Sequence, residues 1–144
     1  MKADTLILVA MPICGAFTLA LGVVHIFMPR LFDFRNAIPG TGEPLSPLRL
    51  GSIHYTTTRA DVYGIAWVMN HAASYVLISI GIADLLWWRW PDGAAGVLLP
   101  LWIAGWWLLR AASQLYLGRR RGDRKIMLGF SVLAAVHLLA AVAR

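Results

Sequence analysis

The chain has 144 residues, of which 59% are hydrophobic and only 14% are charged, with a net charge of +6. A soluble domain of this length carries roughly a quarter charged residues, so the composition favours a membrane protein with no separate soluble domain. The basic residues cluster in short loops beside apolar runs, where anionic lipid explains them and nucleic acid does not. Cys14 is the only cysteine, which excludes an internal disulfide and cysteine-rich metal sites.

Four apolar runs predict an all-α, four-helix membrane bundle that fills the whole chain as a single domain. The first run, residues 5–28, exceeds the ~20 residues that a bilayer requires. It is also longer than the apolar core of a signal peptide and lacks a clear cleavage site, so we interpret it as an uncleaved span. Ala16 and Ala20 have the spacing of small residues at a helix–helix contact and predict a close-packing face.

The long connection, residues 29–59, is rich in proline and glycine but also carries recurring apolar side chains. A connection of this length often has a function, and we expect it to lie against the membrane surface or partly under the bundle. Its end, Thr58-Arg59-Ala60-Asp61, has the pattern of a helix capping box.

The second span, residues 60–88, combines a membrane-spanning helix with polar side chains near its middle. Asn70 and His71 are followed one turn later by Tyr75. Because hydrocarbon penalises unpaired polar groups, we expect these residues to face the bundle interior. Asp84 lies one turn from the end and is expected to reach water, beside a Trp-rich segment (87–90) typical of the membrane interface.

The third and fourth spans, residues 94–117 and 126–143, are joined by the basic loop 118–125. Arg110 and Gln114 share a face of the third span. Such an arginine can bind a phosphate, a carboxylate or a quinone oxygen, or its side chain can extend to the interface without a specific role. His137 is the only ionisable residue inside the fourth span.

The distribution of cations predicts the orientation. The two loops 29–59 and 118–125 contain nine cations, and the opposite side contains three. The positive-inside rule then places both loops in the cytoplasm and both termini outside. The nine are Arg30, Arg35, Arg49, Arg59, Arg119, Arg120, Arg121, Arg124 and Lys125; the three are Lys2, Arg89 and Arg144.

His71 and His137 are each 11 residues from the predicted start of their spans. At 1.5 Å per residue, both imidazoles would lie about 16 Å deep, which would suit axial ligation of one b-type haem. The alternative is that each histidine only forms a hydrogen bond between helices. A metal site is not predicted, because no span contains a His-x-x-x-His or Glu-x-x-His pair and carboxylates are nearly absent from the interior.

The sequence contains no glycine-rich phosphate loop, nucleophile elbow or zinc-protease motif, so no catalytic residue is predicted. The four-span plan, with a histidine near the end of the first span, resembles small bacterial membrane proteins, and this resemblance implies no activity. We expect the protein to lie in the bacterial inner membrane. We expect an accessory subunit whose interior polar site binds a cofactor or a small amphipathic ligand such as a quinone or lipid. The alternatives are a redox protein using paired histidines, and a scaffold without a ligand. Expected partners are lipids, other membrane subunits or a second copy. The predicted site consists of Asn70, His71, Tyr75, Arg110, Gln114 and His137.

Overall fold

The computed structural model describes residues 3–38, 40–115 and 122–143. This part of the chain forms five α-helices: α1 (Ala3–Leu31), α2 (Phe34–Ala37), α3 (Arg59–Leu85), α4 (Ala94–Ser113) and α5 (Asp123–Val142). Four of them, α1, α3, α4 and α5, are long and apolar enough to cross a membrane, which confirms the four predicted spans and indicates a membrane protein. The predicted last residues of the third span (116–117), together with Lys2, Arg119–Arg121 and Arg144, lie outside the described residues.

The chain separates into two compact units. The first consists of the described residues of 1–17 and 80–144, and the second of those of 18–79. Helices α1 and α3 each contribute to both units, whereas α4 and α5 belong to the first alone.

Helices α1 and α3 approach closely at two glycines of α1. In the first unit, a Cβ added to Gly15 would lie 2.7 Å from the backbone nitrogen of Leu85. In the second unit, a Cβ at Gly22 would lie 2.9 Å from the backbone nitrogen of Ile78. Real Cβ atoms do not approach this closely, so only glycine allows the two backbones to pack here. The prediction that Ala16 and Ala20 form the close-packing face was wrong, because both are exposed.

The long connection contains regular structure that the sequence did not predict. It includes the short helix α2 and a hairpin of two strands, β1 (Leu48–Leu50) and β2 (Ile53–Tyr55), with Arg49 opposite His54. Gly51 in the turn has a φ of 59°, a left-handed conformation that glycine adopts without strain. The guanidinium of Arg59 forms an ion pair with Glu43 at 3.2 Å, which joins the connection to the start of α3.

The capping box at the start of α3 is confirmed. The Oγ1 of Thr58 accepts a hydrogen bond from the backbone N–H of Asp61 at 3.2 Å. In return, Oδ2 of Asp61 accepts from the backbone N–H of Thr58 at 2.7 Å. Two backbone donors that the helix itself leaves unpaired are thus satisfied.

The Trp-rich segment after α3 folds back onto the helix instead of extending it. It forms a short 3₁₀ turn, Trp87–Arg89, after which the indole Nε1 of Trp90 donates to the carbonyl of Ala83 at 2.8 Å. Trp90 is buried, whereas Trp88 is exposed. The segment therefore closes the end of α3 as well as presenting aromatic surface.

Helices α4 and α5 pack against each other in the first unit. The fully buried Trp107 of α4 stacks on Phe130 of α5, with ring centroids 5.3 Å apart. The buried face of α5 has the periodicity of a helix stripe, and it consists of Leu133, Ala134, His137, Ala140 and Ala141. Small alanines on either side of His137 let α5 approach its neighbours, so the imidazole is fully enclosed.

Candidate functional site

Asp84 and His137 form a buried polar pair inside the first unit. The Nε2 atom of His137 lies 3.1 Å from Oδ1 of Asp84, and both side chains are 0% exposed. Asp84 is in the last turn of α3, and His137 is on the buried face of α5. Buried ionisable groups are stable only when they are paired, and here each supplies the partner of the other.

The hydrogen bonds of His137 define how many protons the pair holds. Its Nδ1 atom lies 2.7 Å from the carbonyl oxygen of Leu133, one turn earlier. Because a carbonyl only accepts, Nδ1 carries a hydrogen. One further hydrogen lies between Nε2 and Oδ1, either on an imidazolium facing a carboxylate or on a carboxylic acid facing a neutral ring. In both forms the pair has no net charge, which suits its burial.

The second carboxyl oxygen of Asp84 has an unused acceptor position. Oδ2 is buried and has no hydrogen-bond partner among the described residues. Buried side-chain oxygens are normally satisfied, so an unpartnered carboxyl oxygen marks a position for a donor. The backbone of α1 lies close by, since a Cβ at Gly15 would be 3.0 Å from the Cβ of Asp84.

The polar residues in the middle of α3 face in two directions. Asn70 is buried, and its Nδ2 donates to the backbone carbonyl of His25 in α1 at 2.8 Å. Ser74 is also buried, and its hydroxyl donates to the carbonyl of Asn70 at 2.8 Å. Asn70 thus joins α3 to α1 within the second unit, which confirms that it faces the interior.

His71 and Tyr75 do not face the interior. His71 is exposed, and its Nδ1 lies 3.0 Å from the carbonyl oxygen of Trp67. Tyr75 is 74% exposed. The prediction for His71 was wrong: consecutive residues point about 100° apart on a helix, and here the face that buries Asn70 leaves His71 exposed.

Arg110 and Gln114 lie at the end of α4. The guanidinium carbon of Arg110 is 5.8 Å from the ring centroid of Phe130, in the range of a cation–π contact. Phe130 in turn stacks on Trp107. Gln114 is buried one turn beyond Arg110. The geometry gives Arg110 an aromatic neighbour in α5 rather than a position beside the buried pair.

The arrangement does not fit a haem ligated by His71 and His137. An axial histidine binds iron through a free ring nitrogen, and both ring nitrogens of His137 are engaged, by Leu133 and by Asp84. Over residues 3–38, 40–115 and 122–143, no group of three histidine, cysteine, aspartate or glutamate side chains is placed to hold a metal ion.

Asp84 is the site residue that sequence reasoning missed. Its position beside a Trp-rich helix end suggested access to water, but the structure encloses it completely. The available signal was the carboxylate itself, because an ionisable residue within an apolar span generally marks a functional site and requires a partner. His137, the only ionisable residue inside its own span, was the obvious candidate for that partner.

No known protein family, no curated protein and no solved structure shows significant similarity to this chain.

Proposed function

We propose that this chain is a small integral membrane subunit or accessory protein whose interior polar site is the Asp84–His137 pair, and that the pair takes up and releases a proton. The observation that carries the proposal is the buried, unpartnered Oδ2 of Asp84 beside a carboxyl oxygen already bonded to His137. Ionisable residues within membrane spans commonly form proton relays, and a carboxyl paired with an imidazole is a typical member of such a relay.

The proton chemistry follows from the hydrogen-bond positions. In the neutral state one hydrogen is shared between Oδ1 of Asp84 and Nε2 of His137. A second proton would bind at Oδ2, the remaining acceptor position, and would give the pair one positive charge. Release of that proton restores the neutral pair, so the site can cycle between two charge states without breaking the contact between α3 and α5.

A small amphipathic ligand is the second candidate for the interior site. The hydroxyl of a reduced quinone or of a lipid would supply the donor that Oδ2 lacks. Equilibrium binding of a short-chain quinol to the purified protein tests this candidate. Binding that is lost in Asp84→Asn supports it, and binding that is unchanged in Asp84→Asn excludes this site.

Difference infrared spectroscopy tests the proton proposal directly. The protein is reconstituted in liposomes, and its spectra at neutral and acidic pH are subtracted. We expect a carbonyl stretch of a protonated carboxyl in a low-polarity environment, lost in Asp84→Asn and kept in Asp92→Asn, which alters an exposed turn residue. A spectrum in which Asp84→Asn removes no band would refute proton uptake and favour a scaffold without a ligand.

For the membrane arrangement, we propose that α1, α3, α4 and α5 form an up-and-down four-helix bundle in the bacterial inner membrane, with both termini outside. The two larger loops contain nine cations and the opposite side contains three, which supports this orientation. Single cysteines replacing Asp92 and Arg120, in a Cys14→Ser background, test it with a membrane-impermeant reagent. Labelling of position 92 but not of position 120 in intact cells is expected, and the reverse pattern would contradict it.

A further inference from the structure

Helix α3 carries a second polar feature on the side away from Asn70. Gly64, Val68, His71 and Tyr75 are all exposed, and their spacing of three and four residues places them on one helix face. We call these four residues the outer face of α3. It lies entirely within the second unit and takes no part in the Asp84–His137 pair.

The outer face places polar groups at the depth of the hydrocarbon. His71 is 12 residues beyond Arg59, the first residue of α3, so its ring lies about 18 Å along the helix. In a hydrocarbon layer about 30 Å thick this position is close to the middle. An imidazole and a phenol at that depth are unfavourable against lipid and favour a protein neighbour that pairs with them.

The hydrogen-bonding capacities of the two side chains are complementary. The Nδ1 atom of His71 faces the carbonyl oxygen of Trp67 and therefore carries the hydrogen, which leaves Nε2 of the neutral ring as an acceptor. The phenol of Tyr75, one turn later, is a donor, and no described residue accepts a hydrogen bond from it. The face thus offers one acceptor and one donor a single helical turn apart.

Gly64 allows another helix to approach this face closely. A Cβ added to Gly64 would meet no atom within 4 Å, so no contact within the chain requires a glycine at this position. Gly15 and Gly22, by contrast, are needed where α1 meets α3. A glycine on an exposed membrane-helix face, beside two unsatisfied polar groups, is typical of a surface that packs against a second helix.

We propose that the outer face of α3 binds the same face of a second copy of this chain, forming a symmetric dimer. A two-fold axis along the membrane normal places His71 and Tyr75 of both copies at equal depths. Because side chains on a helix lean toward its N-terminus, the phenol of Tyr75 in each copy reaches back one turn and donates to Nε2 of His71 in the other. A second copy is the occupant that supplies one donor for each acceptor of this face, with the same spacing of one helical turn.

Oxidative crosslinking in native membranes tests the dimer. Val68→Cys lies on the outer face, and Met69→Cys lies about 100° around the helix. The native side chains are matched in exposure, at 68% and 64%. In a Cys14→Ser background, we expect a crosslinked dimer from Val68→Cys and little from Met69→Cys. Equal crosslinking of the two variants, or none from Val68→Cys, would overturn the proposal.

Self-association in detergent or lipid, measured by energy transfer between labelled copies, provides a second readout. Gly64→Leu should abolish the dimer, whereas Gly105→Leu should not, although Gly105 of α4 is also exposed with open space around it. Tyr75→Phe should weaken association about threefold to tenfold, as expected for two lost interhelical hydrogen bonds. A protein that is monomeric at all concentrations, or unaffected by Gly64→Leu, would show that lipid or another partner covers this face.

Discussion

The Nε2 atom of His137 lies 3.1 Å from Oδ1 of Asp84, across 53 residues of sequence, and neither side chain has any exposed surface. This contact is compatible with only one rotation of α5 about its own axis, the one that presents His137 to the end of α3. Ala134 and Ala141, three and four residues away, lie on the same face and are buried with His137. The polar contact and these small residues therefore lie together on the interior face of α5.

The first prediction concerns the coupling within this pair. Asp84→Ala leaves the imidazole without its partner, and His137→Leu leaves the carboxyl without its partner. Each single change should lower the free energy of unfolding by roughly 3–5 kcal/mol, the usual cost of breaking a buried pair from one side. The loss in the double variant should be smaller than the sum of the two single losses by about 3 kcal/mol. Unfolding in mixed micelles measures the free energy of unfolding of all three variants. Strictly additive losses would mean that the contact contributes nothing of its own.

Much of the fold could be predicted from the sequence because length and apolar composition determine it. The four spans and the Thr58–Asp61 capping box depend on local patterns, and the structure confirms both. The partner of Asp84 depends instead on how two helices rotate against each other. An apolar helix such as α5, whose faces differ mainly in alanine and leucine content, carries little local information about that rotation.

The second prediction concerns the two glycines of α1. Gly15→Ala and Gly22→Ala each introduce a Cβ less than 3.0 Å from a backbone nitrogen of α3. Backbone cannot move aside as a flexible side chain can, so each change should lower the free energy of unfolding by about 1–3 kcal/mol. Gly129→Ala is the matched control, because a Cβ there meets nothing within 4 Å and the change adds helix propensity. If all three variants unfold alike, the close approach of α1 and α3 is not needed for stability.

The third prediction separates two neighbours in α3. Asn70→Leu removes the hydrogen bond to the carbonyl of His25 and should lower the stability of the monomer by about 0.6–1.7 kcal/mol, the measured range for bonds between membrane helices. His71→Leu removes an exposed ring and should leave monomer stability within about 0.5 kcal/mol of the original. The free energies of unfolding of the two variants are measured at a high detergent-to-protein ratio, where self-association is suppressed. A larger loss from His71→Leu than from Asn70→Leu would reverse the assignment of the interior face.

The last prediction concerns the start of α3. Thr58→Ala removes the hydroxyl that accepts from the backbone N–H of Asp61, and a lost N-cap typically costs about 1 kcal/mol. The capping hydrogen bonds lie at the surface, so the loss should appear as fraying of the first turn and not as global unfolding. Hydrogen exchange of the amides of residues 60–62 should therefore accelerate about fivefold, while the amides around Asn70 keep their rates.

Thr57→Ala is the control, because the backbone carbonyl of Thr57, which accepts from Leu45, is unchanged by that substitution. Equal acceleration in both variants would mean that the hydroxyl of Thr58 does not stabilise the helix start, and acceleration along the whole of α3 would show that this cap supports the entire span.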